Sequence, residues 1–337
     1  MRWPSVLITA ASRRVGLVTA FRRALAECEG GGRVIVTDVN PLSPAVHVAD
    51  RAYRVPLSSD PGYIDEIVAI SRAEGVGLIV PTIDDELTCF ANAVPLFAAA
   101  QIRVVVSPAE TTALCNDKLA LCRALVARGV AAATSCLPTD LPVAPRFPLF
   151  VKPRYGRGGV GAFAIRTARE LEFFRDYVEE PVVQEYLDGP EYTIDMLCDF
   201  SGQVLSVVPR ERVVIRAGVI DRGRTVKDRR LFDLALACAR VVPFVGPVNI
   251  QCRVVEGRPV VFEINPRFSG GIPLTIAAGA DFPRMLLQLA SGRRLLPTIG
   301  QFREHLWMTS YEASLFLEDT DLTLERFVPA ANVAEVA

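Results

Sequence analysis

Over the first hundred residues, short β-branched runs alternate with longer amphipathic stretches: 6–10, then 15–27, then 33–38, later 64–74, 78–80, 87–100 and 103–106. The runs have strand length and the longer stretches carry an apolar stripe at helical spacing. Strands separated by helices cannot be joined by tight hairpins. They lie parallel, with the helices packed on the faces of the sheet. This pattern predicts a doubly wound α/β domain over residues 1–110.

The style of sequence changes near residues 107–108, where the strand pattern stops and two helical stretches follow, 110–116 and 117–128. A proline-rich linker, 138–148, leads into antiparallel-looking strands, with helices at 168–178 and 231–241 and further strands at 248–255 and 259–264. The second part is therefore an α+β arrangement and not another doubly wound sheet. With 337 residues, the chain is long enough for two or three packed lobes.

Composition narrows the chemistry. Lys and Arg total 37 against 38 Asp and Glu, so no global field holds nucleic acid or an anionic membrane, and any anion site is local. Apolar stretches are interrupted well before the ~18 residues of a membrane span. Residues 1–12 lack the apolar core and cleavage site of a secretory signal, so a cytoplasmic, soluble protein is expected. Eight cysteines without a C-x-x-C pair read as buried thiols, and two histidines leave little room for a His-based triad or zinc site. The chemistry rests on Lys, Arg and carboxylates.

In the first domain, the strand-to-helix turn 9–16 occupies the place of a dinucleotide fingerprint but holds one of its three glycines, a poor match to NAD binding. Asp38 at a strand end reads either as a ribose ligand or as a turn-former. The trio Asp84, Asp85 and Glu86 reads either as a ligand face or as the acidic first turn of a helix.

Three clusters in the second part carry more. The first, 149–162, is an apolar strand ending in Lys152, a loop with Gly156, Gly158, Gly159 and Gly161, and a second strand. Such glycines let backbone N–H groups approach phosphate oxygens, while Lys152 supplies a point charge. A Walker A loop has its lysine after the glycines and opens a helix, so a P-loop enzyme is excluded. The second cluster, 182–195, reads as a buried strand, a tight turn and another strand; backbone around Glu185, Tyr186 and Leu187 suits an adenine edge and Glu191 suits ribose hydroxyls. A plain hairpin with surface carboxylates is the alternative. The third pairs 248–252 with 261–271: strand alternation puts Glu263 and Asn265 on one face and Phe262 and Ile264 on the other. Two oxygen ligands so spaced suit Mg²⁺, and Arg267 follows at a position suited to a transferring phosphoryl group.

In this order, with Lys118 ahead of them, the clusters resemble the ATP-grasp superfamily. The resemblance covers nearly the whole chain. It implies a pre-ATP-grasp domain at 1–110, a small lobe with the glycine loop at 111–180, a large lobe with the metal site at 181–300, and a C-terminal segment at 301–337. It also implies ATP and Mg²⁺ (or Mn²⁺) as cofactors, with Lys118 and Lys152 on the α- and β-phosphates and the loop 156–161 as a lid. Glu185, Tyr186 and Leu187 would meet adenine, and Glu191 the ribose. Glu263 and Asn265 would ligate magnesium, Arg267 would contact phosphate, and Gln251 would be a further metal or phosphate ligand. The stretch from Glu263 to Arg267 looks like one half of the carbamoyl phosphate synthase large subunit, but one set of motifs is present where that enzyme fuses two. Stand-alone carboxylate–amine ligases of the superfamily are more similar. They join a carboxylate to an amine through an acyl phosphate and release ADP and phosphate. A kinase-like phosphotransferase and a non-catalytic nucleotide-binding subunit are the alternatives.

Between residues 205 and 230 eight basic residues face three acidic ones. By the same resemblance a cation for the acyl phosphate belongs in this part of the chain, with Arg210 or Arg212 as candidates and Arg216 a third. Residues 222–228 read as a mobile loop, and Ser269, Gly270 and Gly271 as an anion nest. The implied partners are a small carboxylate and a small amine, neither nucleic acid nor membrane, and a second copy of the chain through the N-terminal domain.

Overall fold

The computed structural model describes residues 3–27, 31–156, 158–216 and 218–324, and the statements below concern those residues. Cys28, Arg157 and the tail from 325 lie outside them. The chain packs as two compact units, one of residues up to 105 with 287–293 and the stretch from 313, the other of 106–286 and 294–312.

The first unit is a five-stranded parallel sheet. It runs β1 (Ser5–Thr9), α1 (Val15–Ala26), β2 (Val34–Asp38), β3 (Arg51–Arg54), α2 (Tyr63–Ala73), β4 (Val76–Pro81), α3 (Asp84–Ala99) and β5 (Arg103–Val104), in the order β3-β2-β1-β4-β5. Helices on both faces require strands that are apolar throughout, and Val6, Leu7, Ile8, Val34, Ile35 and Val36 are fully buried. Asp38 is a turn-former: its Oδ2 accepts from the Ser12 N–H at 2.8 Å and its Oδ1 from the Asn40 N–H at 3.0 Å. The acidic trio forms the first turn of α3. Glu86 is fully buried and closes that helix end, its Oε1 accepting from the Thr82 N–H at 2.7 Å and its Oε2 from the Tyr63 hydroxyl at 2.9 Å. Burial pushes its carboxyl up, against those hydrogen bonds.

The second unit begins with α4 (Ala109–Asn116), α5 (Lys118–Ala127), β6 (Ser135–Cys136), β7 (Leu149–Pro153), β8 (Phe163–Ile165), α6 (Ala168–Tyr177) and β9 (Pro181–Glu185). It continues through β10 (Glu191–Cys198), β11 (Val204–Arg216), β12 (Val219–Thr225), α7 (Arg229–Val241), β13 (Gly246–Val255) and β14 (Arg258–Asn265). It ends with α8 (Ile272–Ala277), α9 (Phe282–Ala290), which runs on into the first unit, and β15 (Trp307–Thr309). Two antiparallel sheets result, β6-β9-β7-β8 and β14-β13-β10-β11-β12-β15.

Period-two alternation divides the larger sheet cleanly. Ile194, Met196, Val248, Ile250 and Cys252 face a core completed by Leu121 and Leu125 of α5 and Leu231, Leu234 and Cys238 of α7. The opposite face carries Glu191, Thr193 and Asp195 opposite Arg253, Gln251 and Asn249, with Glu263 and Asn265 beyond. A polar face of this density needs a reason other than packing.

Three expectations are corrected. Residues 182–195 are not a hairpin: β9 pairs with β6 and β7, β10 with β11 and β13, so the link 186–190 crosses from one sheet to the other. Residues 222–228 are not a loop, because most of them belong to β12, held between β11 and the distant β15. The β13–β14 ladder shifts register between Gln251 and Cys252, pairing them with Glu263 and Val261, so Phe262 is the extra residue of a bulge and does not simply alternate with its neighbours. The seven described cysteines are free thiols, five of them buried, and burial pushes Cys198 up to about 12. Among the described residues, no helix is long and apolar enough to cross a membrane.

Candidate functional site

A cavity of about 520 Å³ in the second unit is lined by residues from both antiparallel sheets. Two lysines enter it from different elements. Lys152 stands near the end of β7, 5% exposed, its Nζ donating to the Phe262 carbonyl at 3.2 Å and lying 5.4 Å from the Phe262 ring centre. Burial depresses this ammonium and the Glu263 carboxylate opposes the shift. Lys118 is the first residue of α5, and its Nζ donates to the Gly156 carbonyl at 2.6 Å. Its position is set by Asp117, which caps α5 by accepting from the Leu119 and Ala120 N–H groups and is gripped by both Arg154 Nε and Nη2. Burial opposes the charge on Asp117, but the Arg154 and backbone hydrogen bonds outweigh it and hold the carboxyl below its usual range.

Gly156, Gly158 and Gly159 line the cavity, and with Gly161 they have φ between 70° and 103°, where a side chain would be strained. Across from this loop, Gly218 in the β11–β12 turn lies so close that a Cβ on it would stand 2.6 Å from the Gly158 carbonyl oxygen. Glu185, Tyr186 and Leu187 line the cavity at the exit of β9, with the Glu185 Oε1 accepting from the Thr134 N–H at 2.7 Å. Glu191 opens β10 between two guanidinium groups, Arg212 Nη1 at 2.6 Å from Oε1 and Arg253 Nη2 at 2.7 Å from Oε2.

Glu263 and Gln251 are cross-strand neighbours, and both line the cavity. Asn265 is buried behind them and donates from Nδ2 to Glu263 Oε1 at 3.0 Å. One carboxylate and two amides beside two lysines form a thin donor set. Among the described residues no cluster of three His, Cys, Asp or Glu side chains exists that would hold a cation unaided. This fits Mg²⁺, which takes few protein carboxylates and completes its shell with water and phosphate oxygens.

The candidate arginines separate. Arg212 lines the cavity; its Nη1 also reaches Gln251 Oε1 at 3.1 Å, its Nη2 donates to the Gly218 carbonyl at 2.7 Å, and its buried Nε has no partner among the described residues. Arg210 is 1% exposed and does not line it. Its Nε and Nη2 embrace Asp195 at 2.8 and 3.0 Å, and Nη2 also reaches the Ser269 hydroxyl at 2.9 Å. Arg267 lies just past β14, half-buried and outside the lining, with Nη1 donating to the Phe268 carbonyl at 3.0 Å. Arg216 pairs with Asp221 and Glu312 on an exposed surface. Gly161 also falls outside the lining.

Sequence reasoning missed Arg253, which lines the cavity. Its signal was parity, since it lies two residues beyond Gln251 on one strand and so shares its face.

Known proteins align with both units. Residues 6–105 match the family described as "PylC-like, N-terminal domain", and residues 178–312 match "ATP-grasp in the biosynthetic pathway with Ter operon". The carbamoyl phosphate synthase large chain of Deinococcus radiodurans is 25% identical over 335 residues, an alignment that takes in 86% of this chain and 31% of that protein. The chain thus spans about a third of that relative's length. Biotin carboxylase from Campylobacter jejuni superposes with a TM-score of 0.71 at 17% identity, covering 90% of this chain and 74% of that one. L-amino acid ligase from Bacillus licheniformis gives 0.67 at 20%, covering 86% and 74%. At these identities the likeness to the solved structures is one of fold.

Proposed function

Since the chain belongs to the ATP-grasp superfamily, we propose that it is an ATP- and Mg²⁺-dependent ligase that couples a small carboxylate to a small amine. One observation carries the reading. Lys118, Lys152, the glycine loop, the 185–187 backbone, Glu191, Gln251 and Glu263 all converge on one cavity, although they come from separate stretches of sequence.

In this reading the base lies against the 185–187 backbone, and Glu191 accepts from the ribose hydroxyls. Lys118 and Lys152 hold the α- and β-phosphates, while the backbone of the glycine loop covers them. Glu263, Asn265 and Gln251 would hold Mg²⁺, which when bound offsets the charge of the phosphate oxygens. A carboxylate oxygen of the substrate attacks the γ-phosphorus, the bond to the β-phosphate oxygen breaks, and ADP leaves with the electron pair. The amine then attacks the acyl carbon, the C–O bond to phosphate breaks, and the released phosphate takes the proton lost by the amine. Arg212, which lines the same cavity and reaches Gln251, stabilises the transferring phosphoryl group. The chain's own contribution is alignment and charge, so the scarcity of histidine is no obstacle. A cytoplasmic address and a homodimer through the first unit belong to the same reading.

The test is ADP release with Mg·ATP against pooled amino acids and small carboxylates, wild type beside Lys152→Ala, with mass spectrometry of the products. ADP formed only with a particular acid and amine, together with a product of their condensed mass, supports ligation. A stable phosphorylated compound in place of the amide would make it a phosphotransferase, and nucleotide binding without turnover in any pool would favour a binding subunit.

A further inference from the structure

Arg253 is a charged residue of the cavity to which the reading above gives no task. Its place follows from register: Arg253 is the antiparallel partner of Glu191, so both side chains stand on the same face of the sheet. One guanidinium spans two parts of the site. Nη2 donates to Glu191 Oε2 at 2.7 Å, while Nη1 reaches the Gly189 carbonyl at 3.2 Å and the Leu187 carbonyl at 3.5 Å. The segment it reaches is drawn against the same strand, for the Val254 N–H donates to the Pro190 carbonyl at 3.0 Å, and a Cβ on Gly189 would stand 2.1 Å from the Val254 carbonyl oxygen.

A guanidinium is a rigid planar fork, so these bonds fix the distance between the Glu191 carboxylate and the backbone at 187–189. They also fix how the carboxylate is turned. An ionised carboxylate offers about four acceptor positions. Arg212 takes one on Oε1 and Arg253 one on Oε2. Each oxygen therefore keeps an acceptor position, and a pair of neighbouring hydroxyls matches two such positions where a single hydroxyl matches one.

We propose that Arg253 is a positioning residue that makes the site selective for a ribose over a deoxyribose, by holding Glu191 so that both oxygens accept from a vicinal diol. The inference rests on the nucleotide reading of this cavity. The experiment is calorimetric titration of the full chain with Mg·ADP and Mg·2′-deoxy-ADP, in wild type, Arg253→Ala and Arg253→Lys, with thermal melts of each variant. Wild type should bind ADP roughly tenfold more tightly than the deoxy form, the scale of one hydrogen bond to a charged acceptor. Arg253→Ala should bring that ratio close to one. Arg253→Lys, a point donor, should recover affinity more than selectivity. An unchanged ratio in Arg253→Ala, or equal weakening of both ligands, overturns the proposal and leaves the nucleotide reading intact. If Arg253→Ala does not fold, a wild-type ratio in Arg253→Lys overturns it equally. Wild type binding neither nucleotide overturns the nucleotide reading, and this proposal with it.

Discussion

Arg210→Met should be among the most damaging single changes in the second unit. The Arg210 and Asp195 side chains are 1% and 2% exposed, so the ion pair is fully withdrawn from water. Asp195 Oδ2 accepts from Arg210 Nε and from the Thr275 hydroxyl at 2.5 Å, while Oδ1 accepts from Arg210 Nη2 and, at 3.4 Å, from Asn249 Nδ2. Removing the guanidinium leaves a buried carboxylate with two neutral donors and no counter-charge. Breaking such a pair from one side costs ~3–5 kcal/mol. In a unit of this size, where 1 kcal/mol moves Tm by about 2–4 °C, that is a fall of roughly 6–20 °C. The cost lies in the stranded charge and not in the pair itself, so Arg210→Met combined with Asp195→Leu should regain most of the loss. Urea unfolding of the two variants and wild type, with the midpoint compared at unchanged m, measures both quantities. A single variant losing less than ~1 kcal/mol, or a double variant no more stable than the single, would refute the reasoning.

Glu263→Gln should lower the rate of ADP release by at least ~10², the scale of losing one electrostatic stabiliser, and a near-normal rate would remove Glu263 from the magnesium site. Asp117 has a folded pKa below its unfolded value of about 3.9, so its charge contributes stability above roughly pH 4 that is lost as pH falls through the folded value. Wild type should therefore exceed Asp117→Asn in urea midpoint at pH 7, with the gap narrowing below about pH 4; a gap independent of pH would contradict the assignment. Gly189→Ala forces a Cβ onto the Val254 carbonyl oxygen and should cost ~1–3 kcal/mol in the same assay, whereas a neutral result would mean that the link 186–190 yields freely.

Much of the site is legible in the sequence because its parts are local. The strand that carries Lys152 near its end, the glycines after it, and the pairing of Glu263 with Asn265 each follow from patterns over a few residues. What depends on distant pairing is not legible. Residues 182–185 and 191–195 read as one hairpin because five residues separate two β-branched runs, and only the partners of each strand, β7 and β13, show that they belong to different sheets. Arg210 and Arg212 share a face of β11, so period two cannot distinguish them. What distinguishes them is depth along the strand: Asp195 receives one and Glu191, at the cavity, receives the other. The stretch 222–228 reads as a loop because it lacks a β-branched run; its pairing with the neighbouring β11 is completed on the other side by Trp307–Thr309, more than eighty residues on.

The link 186–190 has a consequence for motion. It is one of the covalent passages between the two sheets, and rigid sheets change their mutual angle only through torsions in such passages. A base resting on its main-chain atoms would load the joint itself, so filling the cavity would be felt as stiffness in β7 and β9 along their whole length. Amide exchange would slow at positions that touch no ligand. Occupancy would be legible from the back of the small sheet, where Val151, Ile165 and Val183 pack with Leu171 and Phe174 of α6 and no ligand reaches.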